Sequence, residues 1–372
     1  MSPAFIDNDG RLDWRKIGYH ARSAFAVLLS LAVLVGGGWF IYGKANDAYI
    51  AWRTTDDYIG EGGDPVEVLI PRGAGITHMG DLLTEAGVVK STKAFREAAQ
   101  ESGEAEKISY GRYKLVKEIP AERAVAMMLD PANRVLLEVT FPEGTTAGSQ
   151  WQTLSAKTGV PFADIQAAAT ASFAELGLPE WQTGYLEGFL FPAKYQVAEP
   201  VDPKAVMRTQ VSQFKRIAER ISLEGRAAEI GRTPMEVLIT ASIIAREVSN
   251  PADQPMVAAV IYNRLKQDMP LQMDSSVHYA LGKFGKVTTT AADREVDSPY
   301  NTYRNKGLPP APISNPGQTA LEAALAPSES DVLYFVTVDL DSGETKFAAT
   351  YEEHEANVQQ FQAWCQANTG RC

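Results

Sequence analysis

Residues 23–42 read SAFAVLLSLAVLVGGGWFIY, twenty positions without a charge, and this run constrains the chain more than any other feature. A helix of that length rises about 30 Å, which matches the hydrocarbon core of a bilayer. The competing reading is a cleaved signal peptide, whose apolar stretch is usually only about 7–15 residues. Gly43, Lys44 and Ala45 form a small-x-small triplet that keeps cleavage open, but the length and the long polar start favour an uncleaved anchor. Gly36, Gly37 and Gly38 weaken a helix in water and are tolerated in lipid. Arg11, Arg15, Lys16 and Arg22 precede the run, whereas Lys44 and Arg53 follow it. That asymmetry puts residues 1–22 in the cytoplasm, a membrane helix at 23–43, and the rest of the chain outside.

The chain is 372 residues long, room for two or three compact units. Lys plus Arg number 35 against 46 Asp plus Glu, a net charge of −11. A nucleic-acid binder would carry a basic surface, so that class of partner is excluded. Cys365 and Cys372, both in the tail, are the only cysteines. Two sulfurs build neither a disulfide framework nor a thiolate zinc centre, and their pairing is open from sequence.

Beyond the membrane run, 44–65 lacks sustained periodicity and reads as a stalk. Residues 66–130 form a small module with strands at 66–70 and 113–116 and helices at 77–87 and 93–102. That strand-helix-helix-strand order is LysM-like, a compact arrangement often used to hold N-acetylated glycans; a spacer or packing role is the alternative. A larger unit, 131–372, begins with a strand at 134–141. Helices follow at 146–158, 162–175, 203–223, 234–249 and 254–268, with an aromatic-rich extended stretch at 186–197. A segment rich in Pro, Gly, Ser and Asn covers 270–318. Strands near 332–338 and 345–350 precede a terminal helix from 351. The order argues for an α+β fold rather than a doubly wound sheet.

Elimination narrows the chemistry. No phosphate-binding glycine loop, no H-E-x-x-H and no G-x-S-x-G elbow occurs, so no cofactor or metal is called for. Ser212–Lys215 fits S-x-x-K and Lys157–Gly159 fits K-T-G, but in the reverse order to acyl-serine enzymes and without S-x-N between them.

Thr233-Pro234-Met235-Glu236 is a capping box with Pro at the first helical position. The helix PMEVLITASIIAREVS runs to Asn250-Pro251. At 100° per residue, Val237, Leu238, Ala241, Ile244, Ala245 and Val248 share one apolar face and Glu247 lies at its edge. A carboxylate in the last turn, beside Ile243 and Ile244, meets the negative end of the helix dipole and poor solvation. Both raise its pKa, as a general acid near neutral pH requires. The alternative is a surface Glu paired with Arg246 or Lys266.

The runs ASIIAREVS (241–249), VAAVIYNRLKQDMPLQMDSSVHYALG (257–282), SPYNTYRNKGLPPAPISNPG (298–317) and LYFVTVDLDSGETKFAATYEEHEANV (333–358) resemble the endolytic murein transglycosylases, the YceG-like family. EVTFPEGTT (138–146) and LEGFLFPAKY (186–195) also fit, and the likeness covers most of 66–365. Three departures stand out: Ala245 where many relatives carry an acid, Ser275-Ser276 in place of Pro-Thr, and Ala193-Lys194 in place of Asp-Thr. The resemblance implies an enzyme of the bacterial plasma membrane, with its catalytic domain outside the cytoplasm. It would cut the MurNAc-β-1,4-GlcNAc bond inside peptidoglycan strands, leave 1,6-anhydroMurNAc ends and terminate nascent strands. Peptidoglycan synthases are candidate partners. Glu247 occupies the catalytic position. Asn263, Gln272, Asp274, Ser275, Tyr300, Asn301 and Tyr303 are implied groove groups, and Glu187 a second acidic one. Structural roles compete with several of these: Asn263 as a brace, Asp274 in an Asx turn. Two rival functions are a muramidase-type hydrolase with Asp274 or Glu187 as partner carboxylate, and a non-catalytic wall-binding scaffold.

Overall fold

The computed structural model describes residues 14–53, 56–284, 288–369 and 371. It is a mixed α and β protein whose chain divides into two compact units, residues 1–134 and 135–372.

In the first unit, helix α1 spans Trp14–Arg53, and Ile17–Asn46 is long and apolar enough to cross a membrane. Its side chains from Tyr19 to Tyr42 are exposed, so no protein packing accounts for its apolar character. The helix continues past residue 43 into the stretch expected as stalk. Strand β1 (Pro65–Ile70) pairs antiparallel with β2 (Gly111–Val116), Val68 lying opposite Tyr113. Between them come α2 (Ile76–Glu85) and α3 (Thr92–Ser102), which Ser91 caps by accepting the Ala94 amide. Ile70, Leu83, Phe95, Tyr113 and Leu115 fill the core of this strand-helix-helix-strand unit. One helix went unread in the sequence: α4 (Ala121–Leu129), whose Ala121, Ala124, Val125 and Met128 are buried at helical spacing.

The second unit opens with β3 (Arg134–Thr140), which leads through a turn into α5 (Ala147–Thr158) and then α6 (Phe162–Ala171). Strand β4 (Lys194–Ala198) returns antiparallel to β3, pairing Val139 with Tyr195. Only the end of the extended 186–197 stretch is therefore strand. The single helix expected over 203–223 is two, α7 (Pro203–Arg220) and α8 (Leu223–Glu229), separated at Ser222 by a left-handed φ of 54°. Helix α9 (Pro234–Glu247) starts at the expected capping box: Thr233 Oγ1 accepts the Glu236 amide and Glu236 Oε2 accepts the Thr233 amide. It ends two residues earlier than expected, because Val248 is already extended.

Residues 237–244 of α9 are all buried, including Thr240 and Ser242. A helix buried all round is a central helix, so burial extends beyond the one apolar face that the periodicity marked. Helix α10 (Gln254–Lys266) packs on it, as does α12 (Gln318–Leu325), which was not foreseen. The expected irregular segment 270–318 contains α11 (Asp274–Leu281). Strands β5 (Tyr334–Asp339) and β6 (Glu344–Ala348) form an antiparallel pair, and α13 (Tyr351–Ala367) closes the chain. Cys365 is disulfide-bonded, whereas Cys372 lies outside the described residues.

Candidate active site

Glu247 is the last residue of α9 and is partly buried. Its Oε1 accepts two bonds from one residue, the Ser275 amide at 3.2 Å and the Ser275 hydroxyl at 2.5 Å. Ser275 is the second residue of α11, so the negative end of one helix and the positive end of another meet at this carboxylate. Burial is the largest influence and raises the Glu247 pKa above the ordinary carboxylate value; Asp274 adds to it, while the Ser275 bonds and Arg246 oppose it. Low solvation thus acts as the sequence implied, but the helix dipole is countered by α11. No ion pair joins Glu247 to Arg246 or Lys266 among the described residues, and none of them donates a hydrogen bond to Oε2.

The end of α9 is seated by the turn after β3. Gly144 there has φ 70°, and a Cβ on it would lie 2.5 Å from the Ala245 carbonyl oxygen, so only glycine fits. Arg246 Nη1 donates to the Gly144 carbonyl at 3.1 Å, and its guanidinium lies 5.3 Å from the Phe284 ring centroid. The same cation exerts an electrostatic pull on both Glu247 and Glu187.

Glu187 is only 8% exposed. Its Oε1 accepts the Ala147 amide at 2.9 Å and Asn315 Nδ2 at 2.8 Å, and Tyr279 Oη donates to Oε2 at 3.4 Å. Burial pushes its pKa up to about 7 against those donors. Asn315 is the hub behind it. Its Oδ1 accepts the Gly188 and Leu190 amides, both at 2.9 Å, and its Nδ2 also reaches the Thr145 carbonyl at 3.0 Å. Tyr279 and Ser275 are four apart on α11, hence on one face, about one turn or 5.4 Å along its axis. The two glutamates therefore meet the same helix one turn apart.

The other groove candidates separate into two groups. Asp274 is held by the Thr289 amide (3.1 Å), the Thr289 hydroxyl (2.5 Å) and Tyr303 Oη (2.6 Å), with Arg294 3.5 Å away. Burial first, then Asp274, pushes the Tyr303 phenol up. Gln272 is exposed beside this network and has φ 54°. Tyr300 packs against Tyr279, ring centroids 4.9 Å apart and planes inclined by 54°, and stays partly accessible. Two expectations change. Asn263 sends its amide hydrogens to the Ser330 and Val332 carbonyls, at 2.8 and 2.9 Å. Asn301, fully buried, sends its own to the Arg294 and Val296 carbonyls, at 2.8 and 2.9 Å. Both brace loops and have no amide hydrogen left for a sugar. Arg246, Tyr279 and Asn315 were not singled out from sequence. A four-residue step from Ser275 would have marked Tyr279, had 274–281 been read as helix.

A partly buried acid of raised pKa thus ends α9 on an α+β scaffold, beside two acids whose oxygens both accept hydrogen bonds. The chain belongs to the YceG-like family, whose model matches residues 68–360. It is 31% identical to a Bacillus subtilis protein named endolytic murein transglycosylase, over 88% of this chain and 91% of that one. A Streptococcus pneumoniae protein of the same name is 30% identical over 89% of this chain, which spans only 63% of that protein. A crystal structure of a yceG-like protein from Listeria monocytogenes superposes with a TM-score of 0.53 at 30% identity, covering 78% of this chain and 98% of that one.

Proposed function

We propose that the protein is a membrane-anchored endolytic lytic transglycosylase that cuts the MurNAc-β-1,4-GlcNAc bond within peptidoglycan strands. Glu247 works alone. Its carboxylic acid protonates the glycosidic oxygen, the C1–O bond breaks, and the electron pair leaves with the GlcNAc oxygen. The resulting carboxylate then takes the proton of the MurNAc C6 hydroxyl as that oxygen closes onto C1. The acid is restored, no water is consumed, and the product ends in 1,6-anhydroMurNAc. Ordinary glycosidases need a second carboxylate as nucleophile or base. The observation that carries the reading is the contrast in partners: among the described residues none donates to Glu247 Oε2, whereas Asp274 and Glu187 accept bonds on both oxygens.

Gln272 and Tyr300 line the sugar path in this reading. Asp274, Ser275 and Tyr303 order the α11 end, and Asn263, Asn301 and Glu187 hold the frame. Helix α1 is the single anchor, with its N-terminus in the cytoplasm of a bacterium and residues 131–372 as the catalytic domain outside the plasma membrane. Residues 66–130 act as a LysM-like glycan contact, and strand termination beside a peptidoglycan synthase is the cellular role. The test is mass spectrometry of purified glycan strands after digestion. Products lacking one water and ending in anhydro sugars are expected from the wild type and none from Glu247→Gln. Products carrying the added water would make the protein a hydrolase.

A further inference from the structure

Ser275 was expected to touch the sugar. Instead it is 5% exposed and both of its donors point at one oxygen of Glu247. Its placement does not depend on Glu247. The Met273 amide donates to Thr302 Oγ1 at 2.9 Å, Ser276 Oγ donates to the Met273 carbonyl at 2.7 Å, and Asp274 is tied to Thr289 and Tyr303. The first turn of α11 is thus clamped on both sides of Ser275.

We propose that Ser275 is a positioning residue that dictates which oxygen of Glu247 carries the transferable proton and how readily it leaves. The inference rests on the transglycosylase reading and deepens its proton cycle. An oxygen that accepts two donors acts as the acceptor in either protonation state, so the acid proton resides on Oε2, to which none of the described residues donates. Both donors also favour the carboxylate formed after the first half-reaction, against the burial that disfavours it. Ser275 keeps its own proton throughout. Because Ser275 is itself 5% exposed, solvent does not take the place of a missing hydroxyl, and the acceptor would lose that bond outright.

Two variants of the full chain test this. Ser275→Ala removes the hydroxyl and Ser275→Thr keeps both donors. The readouts are the pH–rate profile for anhydro ends and a carbon-13 titration of the Glu247 carboxyl, assigned by its absence in Glu247→Gln. Fewer donors leave the acid form favoured to higher pH, so the basic limb should move up by about one pH unit in Ser275→Ala. It should stay in place in Ser275→Thr, while the plateau rate falls several-fold in Ser275→Ala. A Glu247 titration in Ser275→Ala that overlies the wild type overturns the proposal. Full activity of Glu247→Gln would instead defeat the transglycosylase reading, and the carbon-13 titration would still report what Ser275 does.

Discussion

Glu247 and Glu187 are the same residue type, face one helix a turn apart, and both have raised pKa values for the same leading reason, burial. Their surroundings differ in kind. Glu247 closes a helix and is met by a single residue, on one oxygen. Glu187 sits in a turn and is gripped from three separate segments, by Ala147, Tyr279 and Asn315, on both oxygens. A shifted pKa therefore does not by itself identify an acid catalyst. In the proposed reading an oxygen free of protein donors singles out the acid, because an oxygen already accepting protein hydrogen bonds is poorly placed to carry a proton to a leaving group.

The largest expected effect breaks the comparison directly. Glu247→Gln should lower the rate of anhydro-end formation by about 10²–10⁴-fold with an unchanged melting temperature, whereas Glu187→Gln should retain activity. Reversal of that order in a digestion assay would move the catalytic role to Glu187. Asn315→Ala comes next. It leaves the Gly188 and Leu190 amides without their acceptor inside the core, together with Glu187 Oε1, which loses one of its donors. A loss of about 4 kcal/mol in denaturant unfolding is expected, at about 1–3 kcal/mol per stranded group.

The third prediction sharpens the contrast through pH. A carboxyl whose value rises from 4.5 unfolded to about 7 folded binds its proton more tightly in the native state. The contribution of Glu187 to stability is therefore largest below pH 4.5, declines as pH rises toward 7, and levels off above it, by up to about 3 kcal/mol in all. The isosteric Glu187→Gln should remove the Glu187 share of that decline in melting temperature between pH 5 and 8, leaving a shallower slope; an unaltered slope would show that Glu187 is ionised in the fold. The smallest effect runs the other way. His354 stacks 5.1 Å from Tyr334, and burial, then Arg264, lowers its pKa. Its contribution is present above pH 6.5 and is lost as pH falls through the folded value, so His354→Gln should flatten only the acid side of the melting curve.

Much of the frame was legible in the sequence. The Thr233 box fixed the start of α9 and the 3.6-residue period placed Glu247 in its last turn, since both depend on contacts within four residues. Helix α11 was hidden because Pro, Gly and Ser surround it, and the two strand pairs hid how little of 186–197 is strand. Asn263 and Asn301 read as groove residues because a motif records which residue type recurs, and says nothing of where its hydrogens go.

By itself the sequence determined the apolar span, the start of α9 and the position of one acid at one helix end, because propensity, capping and periodicity act through neighbours along the chain. Only the tertiary structure decided which acid keeps an open oxygen. Asn315 lies 127 residues from Gly188, and Ser275 lies 28 from Glu247. Hydrogen bonds at such separations exist only after the core around α9 has closed, and they, with burial, set the proton affinity of each carboxyl.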